Sequence, residues 1–151
     1  MKFHMSNATL SKFDYPATLI GETDHWTVLL RPQQVTLGAL VLVCREPVTR
    51  FSDVKPAAFA DLHAAVSRIE TILRDLVAYE KINYLMLMMV DPEVHFHVIP
   101  RYSAARTHLG TSFPDAGWPG PPVLGQAVEP DAALRDSLLQ RLRAAWTAAA
   151  A

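Results

Sequence analysis

The chain has 151 residues, 50% of them apolar and 19% charged, with a formal net charge of −1. That length suits one domain with a sizeable core, and the composition excludes disordered and collagen-like chains. The near-zero charge offers no footprint for nucleic acid or for an anionic membrane.

Residues 1–14 read as a loose N-terminal arm, without the apolar run of a signal peptide. A first strand is expected over Ala17–Ile20, then a turn at Gly21-Glu22-Thr23-Asp24 and a strand over Trp26–Leu30. Pro32 to Leu37 leads into a third strand, Ala39–Arg45, which Pro47 ends because proline has no N–H for a ladder. Cys44, the only cysteine, reads as a small buried hydrophobe in that strand. It has no internal disulfide partner, which points to a reducing cytoplasm.

A long helix follows. Asp53 lies in its N-cap region, and Pro56 suits its first turn. Phe59, Leu62, Val66, Ile69, Leu73 and Leu76 recur at steps of three and four, one apolar stripe ending near Tyr79. Two strands, Tyr84–Val90 and Val94–Ile99, then flank Asp91-Pro92-Glu93-Val94, a type I turn pattern that predicts a tight antiparallel hairpin. Met86, Met88 and Met89 read as core filling, and this apolar run is too short to cross a bilayer.

After Pro100 the prolines and glycines of residues 114–122 predict irregular chain. A last helix begins near Asp131, with Leu134, Leu138, Leu142 and Trp146 on one face. The order predicts an α+β domain over residues 1–151: an antiparallel sheet of about five strands, one long helix and a C-terminal helix after an irregular segment from residue 103. A crossover from Arg45 to Tyr84 onto a parallel neighbour is the alternative.

The chemistry concentrates in Glu93-Val94-His95-Phe96-His97-Val98-Ile99-Pro100. Side chains alternate along a strand, so Val94, Phe96 and Val98 share the core face. His95 and His97 share the other, about 6.6 Å apart at Cα. A neutral imidazole can attack phosphorus or take a proton near pH 7, and a second can hold a phosphate oxygen. The same pair suits two other readings: a polar face that carries two histidines, or a metal site with Glu93 and one of His25, His63 or His108. Arg31 and Gln33 read as an exposed loop beside a strand end.

Residues 93–99, followed by Pro100-Arg101, resemble the signature of the histidine triad (HIT) nucleotide hydrolases and transferases, His-φ-His-φ-His-φ-φ with φ apolar. Gly38 to Val54 is similar to the strand and helix approach of the fragile-histidine-triad branch, which hydrolyses dinucleoside polyphosphates. The resemblance spans roughly Trp26 to Arg101, about half the chain.

The resemblance implies that His95 is the nucleophile toward a nucleotide α-phosphate and that His97 contacts phosphoryl oxygens. Substrates would be dinucleoside polyphosphates or nucleoside phosphoramidates. It implies that the Glu93 carbonyl orients His95 and that Asn83 lines the nucleotide pocket. It also implies a homodimer and no required cofactor or metal. A nucleotide-binding protein without efficient turnover is the alternative from another class. Three departures stand out: Glu93 replaces the leading His, Ala39 replaces a frequent His, and Asp91-Pro92 leaves no room for a phosphate-holding loop. A carboxylate at position 93 within reach of His95 or His97 would raise their pKa.

Overall fold

The computed structural model describes residues 7–150. The chain runs through helix α1 (Ala8–Lys12) and strands β1 (Leu19–Glu22), β2 (Trp26–Leu30) and β3 (Leu40–Cys44). A 3-10 turn at Phe51–Asp53 precedes the long helix α2 (Pro56–Val77). Then come β4 (Lys81–Leu85), β5 (His95–Arg101), a small hairpin of β6 (Arg106–His108) and β7 (Thr111–Phe113), and helix α3 (Ala132–Ala148). The fold is α+β, as expected. One sheet has the order β1-β2-β3-β5-β4, and every neighbouring pair is antiparallel. The alternative of a parallel neighbour is overturned: α2 crosses from β3 to β4, but β5 lies between them.

The two helices cover one face of this sheet. Pro56 begins α2, and Ala78 closes it in the left-handed region at φ 49°, its N–H donating to the Arg74 carbonyl. The buried face of α2 is Ala58, Ala65, Ile69, Ile72, Leu73 and Val77. Leu62 and Val66, expected at its centre, are only partly buried, and Phe59 is 43% exposed. Leu62 and Val66 instead border an apolar hollow with Leu42, Tyr84 and Phe96. Helix α3 starts where expected, with the Asp131 carboxylate accepting from Leu134 N at 2.9 Å. Its Leu134, Leu138, Leu142 and Trp146 are all buried. The predicted turn at Gly21 is instead strand: β1 bulges there, and a side chain at Gly21 would fall on the Trp146 indole.

The second face of the sheet is also covered. Leu29, Val41 and Val43 point away from the long helices and pack under Leu10 and Phe13. The N-terminal segment is therefore not a loose arm over its described residues: Asn7, Thr9, Leu10 and Phe13 are all buried. Residues 1–6 of that expected arm lie outside the described residues. Farther along this face Val35, Ala39 and Ile99 pack with Leu85 and Leu124. Gln34 and Val128 exchange both backbone hydrogen bonds at 2.9 Å and pin that stretch. Coverage on both faces explains why β2 and β3 are buried throughout and show no polar alternation.

Two more expectations fail. The tight hairpin is absent: β4 ends at Leu85, and residues 86–94 form an irregular loop. Met88 takes φ 53°, and the Val94 N–H donates to the Val48 carbonyl, so the ladder cannot continue. Met86 and Met88 pack against the core, but Met89 is 85% exposed. The segment after Pro100 is more ordered than its prolines suggest. Beyond the β6–β7 hairpin, it is organised by Arg101, which is 4% exposed. The Arg101 guanidinium donates twice to the Asp115 carboxylate, at 2.7 and 3.0 Å, and to the Gly120 carbonyl at 2.8 Å. Removing one partner of a buried pair strands the other charge. Asp115→Ala is therefore expected to lower unfolding stability by roughly 3–5 kcal/mol in urea titration. A loss no larger than an exposed ion pair gives would contradict this account.

Candidate active site

Strand β5 builds the site through its alternation. Phe96 and Val98 face the helices, and His95 and His97 face the second side, beside Val43 and Val41 of β3. The imidazoles stand edge to face with centroids 5.1 Å apart. Neither is a solvent-facing side chain: His95 is 1% exposed and His97 8%. Burial overturns the reading of a wet polar face with two incidental histidines. Phe13 packs on both rings, 6.3 Å from His95 and 5.8 Å from His97.

The early end of β4 opens the site. In the β4–β5 register Leu85 stands opposite His97, so continued pairing would set residue 87 against His95. Instead the 86–94 loop swings outward and leaves a cavity of about 250 Å³. His95 and His97 form its wall, with Lys12 and Phe13 on one side and Arg31 and Asp91 on others. The loop departs from the expected shortest turn, and its Leu87 to Val90 line the mouth. A second hollow of about 230 Å³ adjoins it, sharing Lys12, Phe13 and Arg31.

The hydrogen bonds fix which nitrogen is which. His95 Nδ1 lies 2.6 Å from the Glu93 carbonyl oxygen. A carbonyl only accepts, so Nδ1 carries the proton and Nε2 holds the lone pair of the neutral ring. The Glu93 side chain goes elsewhere. It is 6% exposed, and Oε1 accepts from Thr9 N and Thr9 Oγ1, each at 2.8 Å. The carboxylate is thus held by α1 through Oε1, and Glu93 is not among the groups that shift His97, contrary to expectation. His97 moves the other way, down to about 4: burial disfavours its charged form, and His95 and Arg31 add to this, partly offset by Asp91.

His97 Nδ1 and Arg31 Nε are both buried without a hydrogen-bond partner among the described residues. Buried polar atoms are rarely left so unless something else supplies the partner. Burial also pushes the Arg31 guanidinium down from its ordinary value, with Asp91 working against it. Lys12 Nζ reaches the Asp91 carboxylate at 3.3 Å. The cavity therefore combines a neutral imidazole, a tautomerically fixed imidazole and two cations, a set suited to an anion with several oxygens.

Asn83 is not brought to the histidines. It pairs with Ile99, farther along β5, and its Oδ1 accepts from Arg101 at 2.8 Å. It lines a different hollow with Trp118. The metal candidates do not converge either. Among the described residues no three His, Cys, Asp or Glu side chains are grouped to hold a metal. His108 bonds to Ser137, and His25 and His63 lie in the β1–β2 turn and on α2. Sequence reasoning missed Thr9, Lys12 and Phe13 altogether and placed Arg31 in an exposed loop. One signal was available: the unbroken apolar run of β3, with Val28-Leu29-Leu30 of β2 beside it, requires a cover on the second face.

The HIT domain family model matches residues 12–104. The chain belongs to the HIT domain family. Solved structures agree. A histidine triad protein from Bradyrhizobium japonicum is 26% identical with a TM-score of 0.67, covering 85% of this chain and 90% of its own. A zinc-bound histidine triad family protein from Mycobacterium smegmatis is 20% identical, TM-score 0.66, covering 95% of both. A hypothetical histidine triad nucleotide-binding protein from Sulfolobus tokodaii is 16% identical, TM-score 0.67, covering 98% and 93%. At such identities the latter two carry the fold alone. No curated protein matches the chain. No described helix is long and apolar enough to cross a membrane.

The depressed His97 sets a pH dependence. Its folded pKa lies below the unfolded value of 6.5, so the unfolded chain binds this proton more tightly. The resulting penalty is absent well above 6.5 and grows as pH falls through 6.5 toward about 4. Urea unfolding at about pH 7 and about pH 5 should show wild type losing stability relative to His97→Gln as pH drops. An unchanged difference between the two proteins would contradict a buried, neutral His97.

Proposed function

We propose that this HIT-family protein is a nucleotide hydrolase or transferase acting on an α-phosphate through His95. The observation that carries the reading is the His95 Nδ1 contact with the Glu93 carbonyl, which leaves Nε2 as the basic nitrogen in the cavity wall. In the proposed step Nε2 donates its lone pair to phosphorus. The N–P bond forms, the bond to the leaving group breaks, and the leaving group departs with that electron pair. The imidazolium so formed is steadied by its Nδ1–H on the carbonyl. Water or another acceptor then breaks the N–P bond and restores the neutral ring.

His97 supports this role as a neutral neighbour. A neutral His97 places no second positive charge beside the imidazolium, and its ring can hold a phosphoryl oxygen. Arg31 and Lys12 supply the charge that attracts phosphate. The substrate class is a dinucleoside polyphosphate or a nucleoside phosphoramidate, processed without a cofactor in a cytoplasmic setting. Asn83 is left out of the nucleotide contacts, because Arg101 already holds its carbonyl.

Rapid quenching of wild type with a labelled substrate should trap an acid-labile, His-linked nucleotide, and His95→Ala should trap none while turnover falls by at least about 10³-fold. Since His95 is buried, this variant is also expected to lose some stability. Wild-type turnover in His95→Ala would remove the assignment. Nucleotide binding without any covalent species in wild type would favour the alternative, a binding protein that has lost catalysis.

The proposed state is a homodimer. An apolar hollow of about 220 Å³ opens between Leu62 and Val66 of α2 and Tyr84 and Phe96 of the sheet. Static light scattering at micromolar concentration is expected to give twice 16.7 kDa. A particle of 16.7 kDa would refute the pairing.

A further inference from the structure

Position 93 departs from the family motif, and its carboxylate is held by Thr9 through Oε1. Thr9 is buried, and it meets Glu93 three times. Its N–H and hydroxyl both donate to Oε1, and its Oγ1 in turn accepts from Glu93 N at 3.2 Å. The residue whose carbonyl holds His95 is therefore gripped at its own N–H and its own carboxylate by one threonine. A carboxylate accepting charge-assisted hydrogen bonds in a dry setting is a strong fastening. The same segment carries Phe13, which packs on both imidazoles, and Lys12, which reaches Asp91 two residues before Glu93. Asn7 caps α1 by accepting from Leu10 N at 3.0 Å and so shapes the turn that presents Thr9.

We infer that Glu93 is a positioning residue: with Thr9 it clamps the N-terminal segment, residues 7–13, onto the histidine pair and makes that segment a wall of the active site. The clamp does two jobs at once. It holds the Glu93 backbone, and with it the carbonyl that sets the His95 tautomer. It also seats Phe13 against His97 and excludes water there. Glu93 acts through this fastening and not by proton transfer: Thr9 holds its Oε1, and Glu93 does not line the cavity. The inference rests on the proposed role of His95 for its catalytic meaning, but the clamp itself is testable without any turnover.

The test follows His97 by NMR, using its imidazole carbon-bound protons across a pH titration of the full chain. The charged groups around that ring are His95 on the same strand, Arg31 after β2, Lys12 on α1 and Asp91 in the loop. Glu93→Ala releases the segment, so His97 is rehydrated and its pKa should climb by at least about one unit toward the solvent value. Thr9→Val removes the hydroxyl while keeping the backbone donor and the side-chain shape, and it should move His97 in the same direction by less. Glu93→Gln keeps an oxygen acceptor for both Thr9 donors and should restore the wild-type titration. This order, Ala above Val above Gln, is the signature of the clamp. If Glu93→Ala fails to fold, Thr9→Val carries the test alone. A wild-type titration of His97 in the folded Glu93→Ala or Thr9→Val protein overturns the clamp. With a nucleotide substrate, Thr9→Val should lower kcat by about 10-fold or more with a smaller change in KM, the response to a misplaced reacting group. Absence of turnover in wild type would remove the proposed function and leave the titration result standing.

Discussion

Strand β5 is hydrogen-bonded on both sides, by β3 and by β4, and this constraint governs the site. A strand so held cannot slip by one residue without sending Phe96 and Val98 into the cavity and both histidines under the helices. The apolar partners of Phe96 and Val98 on α2 and on Trp26 therefore fix the imidazoles through the backbone, with no direct contact. The geometry of the histidine pair is obtained from core packing. The asymmetry of the ladder matters as much. β3 accompanies β5 as far as His95, while β4 stops opposite His97. The missing rungs supply the space in which a ligand can approach His95.

Two imidazoles side by side in a dry cleft raise the question of charge. Both cannot be protonated cheaply, and burial settles the matter for His97 in favour of the neutral form. Positive charge is kept on Arg31 and Lys12, which line the same cavity. This division separates attraction from chemistry. The cations attract an anion, and the neutral His97 ring keeps a lone pair to offer.

Much of the fold was legible because its signals are local. The stripe of α2, the N-cap at Asp131 and the turn-bounded strand Trp26–Leu30 depend on neighbours a few residues away. The alternation of His95 and His97 against Phe96 and Val98 is equally local, and it located the core of the site. What was not legible depends on distant contacts. Tyr84 to Val90 has the composition of a strand, yet its second half leaves the ladder because Val94 bonds to Val48 and Met88 turns left-handed. The arm became structure through Glu93, 84 positions from Thr9 in sequence. The partner of Arg101, Asp115, sits inside the run 114–122, whose prolines and glycines are turn signals. None of these pairings leaves a periodic trace.

The side chain and the main chain of Glu93 carry separate duties, and this separation explains how the motif tolerates an acid where its pattern has histidine. The carbonyl is present whatever the side chain, so the His95 tautomer survives the change. The carboxylate would repel phosphate if it faced the cavity, but its Oε1 is held by Thr9 at the start of α1, and Glu93 does not line the cavity. The negative charge that does face the cavity belongs to Asp91, and Lys12 covers it. Lys12 is half exposed, so that ion pair is worth no more than about 1 kcal/mol and yields readily to a competing anion. An entering phosphate therefore gains Lys12 at small cost. Arg31, whose Nε has no hydrogen-bond partner among the described residues, gives up none at that nitrogen to meet it. The cleft favours an anion because its own acid is weakly held and the other acid near the histidines has been turned into a structural fastening.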